Sequence, residues 1–169
     1  KFILLKLTMV LALVAAGTVD HGAAFFAYMG VAAALVFANL GASYGTAKAG
    51  VGIASLGVID SSKITKSLIP IIMAGILGIY GVIVAVLINS AFGETEWGNY
   101  GKGYKIFSGG LCCGLSSLAA GLAIGVAGDA GVRAYAQTDA IFVGMILILI
   151  FAECIGLYGM IIASILVSS

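Results

Sequence analysis

The sequence predicts an all-α integral membrane protein built from two tandem transmembrane helical hairpins, with an extra apolar segment at its N terminus. Composition, long apolar runs and an internal repeat each support this fold class. Of the 169 residues, 62% are hydrophobic and 9% charged, and the mean hydropathy is +1.21. A soluble domain carries about 25% charged residues, so a water-soluble protein is excluded. A disordered chain is also excluded, because disordered chains are polar. A net charge of +1 leaves no basic face for binding nucleic acid.

Five apolar runs follow one another, separated by short polar connections. A helix needs roughly 20 apolar residues to cross a bilayer. None of the runs alternates as the strands of a membrane barrel do, so helices are expected. The runs cover residues 2–19, 24–56, 70–88, 106–132 and 140–167, with polar connections at 20–22, 57–68, 94–105 and 133–139.

The first run is interpreted separately from the other four. Lys1 and Lys6 precede an apolar stretch that ends in small residues, as in a signal peptide. We interpret residues 1–22 as an extra N-terminal apolar helix or a retained signal-like segment. The first hairpin then covers residues 23–90 and the second covers 91–169.

Lysine and arginine counts predict the orientation. The connections 57–68 and 133–139 fall on the same side if the four strong spans alternate. Cytoplasmic flanks are enriched in Lys and Arg, so this side is predicted to be cytosolic. It holds Lys48, Lys63, Lys66 and Arg133, whereas the opposite side holds Lys102 and Lys105.

The two hairpins are copies of one sequence pattern. Residues 72–81 match residues 150–159 at an offset of 78, with identical Ile, Ala, Gly, Tyr and Gly positions. In the helices before them, Gly41 and Gly45 match Gly121 and Gly125 at an offset of 80. Small residues let membrane helices pack closely. We therefore expect these four glycines to pack helices side by side in a ring.

The repeat is broken at Glu153, whose counterpart is Gly75. Glu153 is the one acidic residue in the middle of an apolar run. A charge at that depth costs roughly 2.5 kcal/mol or more, so such a residue usually has a function. The neutral acid is favoured in hydrocarbon, whereas the ionised form needs water or a cation. A carboxyl with these two properties can serve as a proton carrier. The alternative is a structural glutamate hydrogen-bonded between helices.

The surroundings of Glu153 suggest a partner and an ion. Tyr80 lies on the helix that pairs with the Glu153 helix, so it is the candidate hydrogen-bond donor, although it could serve only in packing. A sodium site would need several oxygens, and the neighbours of Glu153 in sequence are apolar or Cys. Protons are favoured over Na⁺, and no metal or cofactor site is predicted, since His21 is the only histidine.

Four segments resemble the 16-kDa proteolipid, or c-subunit, of the eukaryotic vacuolar-type H⁺-ATPase: residues 40–53, 72–76, 128–133 and 142–153. The resemblance runs from about Ala24 to the end of the chain. It implies a four-helix proteolipid in a homo- or hetero-oligomeric membrane ring that turns against the a-subunit and seats the d-subunit of the central stalk. Glu153 matches the essential carboxyl of the family.

The resemblance also implies a proton-translocating subunit with no catalytic activity of its own. It implies the membrane of an acidic organelle, such as a vacuole, lysosome or endosome, and sensitivity to bafilomycin-type inhibitors. The first apolar run departs from the usual family pattern. An extra N-terminal helix is found in the related c-double-prime proteolipid, whose essential Glu lies on the helix that carries Gly75 here.

Three other functions use the same helices. A gap-junction-like or fusion pore would need the small-residue packing but not a carboxyl at lipid depth. A Na⁺-translocating ring would need more oxygen ligands. A purely structural proteolipid would leave transport to sister subunits.

Overall fold

The computed structural model describes residues 22–92 and 99–169. Within these ranges the protein is helical and contains no strand. The extra N-terminal segment predicted over residues 1–22 lies outside the described residues, apart from Gly22. The helices are α1 (Gly22–Ile59), the short α2 (Ile64–Ser67) after a 3-10 turn at Ser61–Lys63, α3 (Ile69–Ala91), α4 (Tyr100–Gln137) and α5 (Ile141–Ser168).

Four helices in the described ranges are long and apolar enough to cross a membrane, as the sequence predicts. α1 and α4 have 38 residues each, which corresponds to about 57 Å of helix. The hydrocarbon core is about 30 Å thick. These two helices therefore extend well beyond the hydrocarbon, and they include part of the predicted polar connections.

Local capping explains where the helices begin and end. Asn99 caps α4, because its side-chain oxygen accepts a hydrogen bond from the Lys102 N–H at 3.2 Å. The second half of the predicted connection 94–105 is therefore helical. Pro70 lies in the first turn of α3, where a missing N–H costs little. Asp60 accepts hydrogen bonds from the Ser62 hydroxyl and N–H, and these bonds hold the pKa of Asp60 below its usual range.

The two hairpins pack side by side through α1 and α4. α1 pairs with α3 in the first hairpin and α4 pairs with α5 in the second, and α3 also touches α4 and α5. One apolar cluster lies towards the ends of α3 and α5, around Ile88 and Val167. A second cluster, around Leu77 and Leu149, fills the opposite half. Both clusters consist mainly of small and aliphatic side chains, so close backbone approach carries much of the packing.

The four glycines predicted to pack in a ring close the α1–α4 contact within one chain. A Cβ atom on Gly41 would come within 2.5 Å of the Ser117 carbonyl oxygen, and one on Gly121 would collide with the backbone of Gly41. Gly45 and Gly125 face each other's helix in the same way. The sequence showed that small residues recur on one face but not which helix that face meets.

An ion pair joins the two short connections. Lys63 Nζ lies 2.7 Å from Asp139 Oδ1 and 3.9 Å from Asp60 Oδ2. The Lys63 ammonium also lies 5.1 Å from the centre of the Tyr135 ring. The connections 57–68 and 133–139 are therefore at the same end of the molecule, as the alternation of spans predicts.

Candidate functional site

Glu153 lies in the middle of an apolar helix. It is the thirteenth of the 28 residues of α5 and the only charged residue in that helix. α3, which packs beside it, has no charged residue. The Glu153 side chain is half-buried, and it takes part in no ion pair within the described residues.

The structure brings Tyr80 and Glu153 together. The Tyr80 hydroxyl donates a hydrogen bond to Glu153 Oε1, with 3.1 Å between the two oxygens. Tyr80 is half-buried and packs against both apolar clusters, so its ring has little freedom to move. A carboxyl oxygen can accept this bond whether the acid is neutral or ionised. The tyrosine therefore orients the carboxyl without fixing its charge.

A glycine on α5 allows α3 to come close enough for this hydrogen bond. Leu77, one turn before Tyr80, places its Cδ2 atom 2.6 Å from where a Cβ atom on Gly156 would stand. Leu77 is fully buried, so a larger residue at position 156 would force either its side chain to shift or α3 and α5 to move apart. Gly156 is therefore a positioning residue that sequence reasoning did not single out, although its one-turn spacing from Glu153 was a visible signal.

Gly75, the repeat counterpart of Glu153, has an open environment. It is exposed, and nothing lies within 4 Å of the position that its Cβ atom would occupy. The described part of the chain therefore has one mid-membrane carboxyl in the second hairpin and an empty equivalent position in the first. In the described ranges, no group of three or more His, Cys, Asp and Glu side chains is placed to hold a metal ion.

The other charged groups of the described residues lie towards the helix ends. Asp129 Oδ1 accepts a hydrogen bond from Arg133 Nε at 2.7 Å, and Asp129 Oδ2 lies 3.8 Å from Lys48 Nζ. Asp129 lies within α4, close to the predicted connection 133–139, and joins α4 to Lys48 of α1. The spacing of Asp129 and Arg133, four residues apart, was a visible signal for this bond.

A model of the ATP synthase C-subunit family matches the chain twice, over residues 29–88 and residues 107–166. The chain belongs to the ATP synthase C-subunit family. The two matched segments are offset by 78 residues, as the internal repeat is, and each covers most of one hairpin.

Curated relatives narrow the family to one branch, the 16 kDa proteolipids of V-type proton ATPases. The chain is 54% identical over 155 residues to one of these proteolipids from Caenorhabditis briggsae, covering 90% of this chain and 96% of the relative. It is 56% identical over 144 residues to the human 16 kDa proteolipid, covering 85% and 92%. It is also 56% identical over 151 residues to the Chrysotila carterae proteolipid, covering 86% and 92%. The resemblance found in the sequence is confirmed.

Proposed function

We propose that this member of the ATP synthase C-subunit family is the proton-carrying subunit of the rotor ring in a V-type proton ATPase, and that Glu153 is the carrier. The observation that carries the proposal is a half-buried carboxyl at the middle of an apolar helix, held by Tyr80 and without an ion-pair partner among the described residues. The names of the relatives support the same function.

The chemistry of the carrier follows from its surroundings. An ionised side chain at the bilayer centre costs roughly 2.5–3.5 kcal/mol on insertion scales, so Glu153 faces lipid as the neutral acid. Water or a nearby cation reverses the balance, because either stabilises the carboxylate. The hydrogen bond from Tyr80 keeps the carboxyl in one orientation in both states.

Rotation then links these two states into a cycle. Where Glu153 meets the a-subunit, water in a half-channel and a cation of that partner release the proton towards the lumen. The ring turns, and Glu153 is protonated again from the cytosolic side. Moving one charge against 100 mV costs about 2.3 kcal/mol, which ATP hydrolysis in the peripheral sector supplies. The chain alone catalyses no reaction and needs no cofactor.

The end that carries Lys63 and Asp139 faces the cytosol in this proposal. The connections 57–68 and 133–139 lie there, next to the d-subunit of the central stalk. The ring lies in the membrane of an acidic organelle, such as a vacuole, lysosome or endosome, and its outer surface is the target of bafilomycin-type inhibitors.

ATP-driven acidification of native vesicles tests the proposal. We expect Glu153→Gln to assemble into the ring but to stop acidification, because the amide cannot exchange a proton. Glu153→Asp keeps the carboxyl and should retain part of the activity. Ring assembly is checked for each variant by native gel electrophoresis. Normal acidification by an assembled Glu153→Gln ring would refute the carrier role.

A further inference from the structure

One face of α5 is exposed although its repeat counterpart on α3 is buried. Leu77 and Val84 on α3 are 0% exposed, because the second hairpin covers them. Their counterparts Ile155 and Ile162 on α5 are 43% and 46% exposed. Tyr158, the counterpart of Tyr80, is 62% exposed. The second hairpin therefore presents to its surroundings the same residue pattern that the first hairpin buries.

The first hairpin shows the opposite asymmetry. Ala120 and Ile124 on α4 are fully buried in the cluster that contains Leu77. Their counterparts on α1 at the repeat offset of 80 are Leu40 and Tyr44, which are 51% and 42% exposed. The first hairpin thus leaves open the surface that, in the second hairpin, receives Leu77.

These two open faces are the two halves of the contact that already joins the hairpins within the chain. A second copy that repeats this contact places its α1 and α3 against α5 of the first copy. The contact is head-to-tail, the kind of interface that generates a ring when its rotation closes. By contrast, Ile72 and its counterpart Ile150 are exposed in both hairpins, so this contact leaves both of them open to lipid.

We propose that Tyr158 of one copy lies over Gly75 of the next copy, in the relation that Tyr80 has to Glu153 within the chain. The proposal rests on the rotor-ring function and specifies the register of its subunits. Gly75 is exposed with nothing within 4 Å of its Cβ position, so it offers space for the Tyr158 ring. Around the ring, the contact within each chain then pairs a tyrosine with a carboxyl, whereas the contact between two copies has a tyrosine but no carboxyl.

Cross-linking between two differently tagged chains tests this register. Both chains carry Cys112→Ala, Cys113→Ala and Cys154→Ala. One adds Gly75→Cys and the other adds Tyr158→Cys, so any bridge joins two copies. After treatment of native vesicles with a bifunctional maleimide about as long as a tyrosine side chain, we expect a dimer that carries both tags.

A matched control replaces Tyr158→Cys with Ile150→Cys. Ile150 lies within one turn of Glu153 along α5 and is exposed, but it lies on the side that the repeated contact leaves open. We expect at least a tenfold lower yield of the doubly tagged dimer. Equal yields from the two pairs would overturn the register.

Acidification of the same vesicles separates this inference from the proposed function. Vesicles that acidify normally but give no bridge from Gly75→Cys to Tyr158→Cys overturn the register and leave the function intact. A specific bridge, together with normal acidification by Glu153→Gln, supports the register and overturns the function.

A size exchange tests the register without cysteines. Nothing in the single chain lies within 4 Å of the Cβ position of Gly75 and the site is exposed, so we expect Gly75→Leu to fold, but in the proposed register the added side chain collides with Tyr158 of the next copy. We expect the fraction of chain in assembled rings to fall several-fold and to recover when Tyr158→Ala is added. Wild-type assembly of Gly75→Leu would contradict the proposal.

Discussion

The two hairpins share one architecture and differ in what they place at the same membrane depth. In the first hairpin, α3 carries Gly75, which faces open space, and Tyr80, which points to the other hairpin. In the second hairpin, α5 carries Glu153, which accepts a hydrogen bond from Tyr80, and Tyr158, which is exposed. Within the described residues, the duplicated scaffold thus carries one carboxyl at mid-membrane depth, and the equivalent position of the first hairpin is open.

This comparison shows which features belong to the scaffold and which to the chemistry. Gly78 and Gly156, and likewise Gly81 and Gly159, are buried at matching positions in both hairpins. They serve close packing wherever the pattern occurs. The carboxyl is present in one copy only, so it is not needed for the fold of a hairpin. Substitutions should therefore separate the two kinds of residue.

The largest effect is expected where the two hairpins meet. Gly121→Ala puts a methyl group into the backbone of Gly41, and such overpacking costs about 1–3 kcal/mol. We expect a clear loss of thermal stability in detergent and less assembled ring. Gly50→Ala is the matched control, because nothing lies within 4 Å of its Cβ position. It should stabilise α1 by about 0.5–1 kcal/mol. Similar losses from both variants would contradict this packing.

The next effect compares the two tyrosines. Tyr80→Phe removes the hydrogen bond that orients the Glu153 carboxyl, and such a bond typically contributes about 0.5–1.5 kcal/mol. Without this bond the carboxyl is free to leave the orientation that Tyr80 holds, and it becomes more accessible to reagents. We expect slower acidification and faster modification of Glu153 by a carbodiimide, which reacts with the protonated carboxyl. Mass spectrometry of the labelled chain measures this rate.

Tyr158→Phe is the matched control for that experiment. Tyr158 occupies the equivalent position in the repeat but has no carboxyl opposite it. The rate of carbodiimide labelling of Glu153 should stay at the wild-type value. An equal rise in both variants would show that the hydrogen bond from Tyr80 does not hold the Glu153 carboxyl in place.

A smaller effect is expected at the ion pair between the connections. Lys63→Met removes the contact with Asp139, whose side chain is largely exposed, and exposed pairs contribute about 0.2–1 kcal/mol. We expect a small decrease in the melting temperature that shrinks at high salt. Lys66→Met is the control, because Lys66 is exposed and forms no ion pair in the described ranges. A charge exchange, Lys63→Asp with Asp139→Lys, should bring the melting temperature back towards the wild-type value.

The smallest effect concerns the turn at Asp60. Hydrogen bonds from Ser62 lower the pKa of Asp60, so the ionised form stabilises the turn. That contribution is present above the ordinary Asp pKa of about 3.9 and is lost as the pH falls through the lowered value. We expect the Ser62 amide to exchange faster, relative to its intrinsic exchange rate, below that pH. Asp60→Asn keeps an acceptor oxygen and should remove this pH dependence, and a persistent dependence would assign it to another group.

Much of the candidate site could be predicted from the sequence. Glu153 stood out because it breaks an apolar run and a repeat, and both are local patterns. Tyr80 was predicted as its partner from the pairing of the two helices. Gly156, which lets α3 approach α5, and the pair of Lys63 with Asp139 were missed. Each depends on how a helix is rotated about its axis or on how two connections meet, which a single apolar run does not record.

The sequence by itself determined that the chain lies in a lipid bilayer, how many strong spans it has, that its hairpins are duplicated, and where the mid-membrane carboxyl lies. Hydropathy and repeat patterns decide these features residue by residue, because lipid penalises any exposed charge. Only the tertiary structure decided that Gly41 meets Gly121, that Tyr80 reaches Glu153 and that Tyr158 stays exposed. In lipid, helices associate through close packing rather than through the hydrophobic effect. Rotation and register therefore come from the fit of whole surfaces.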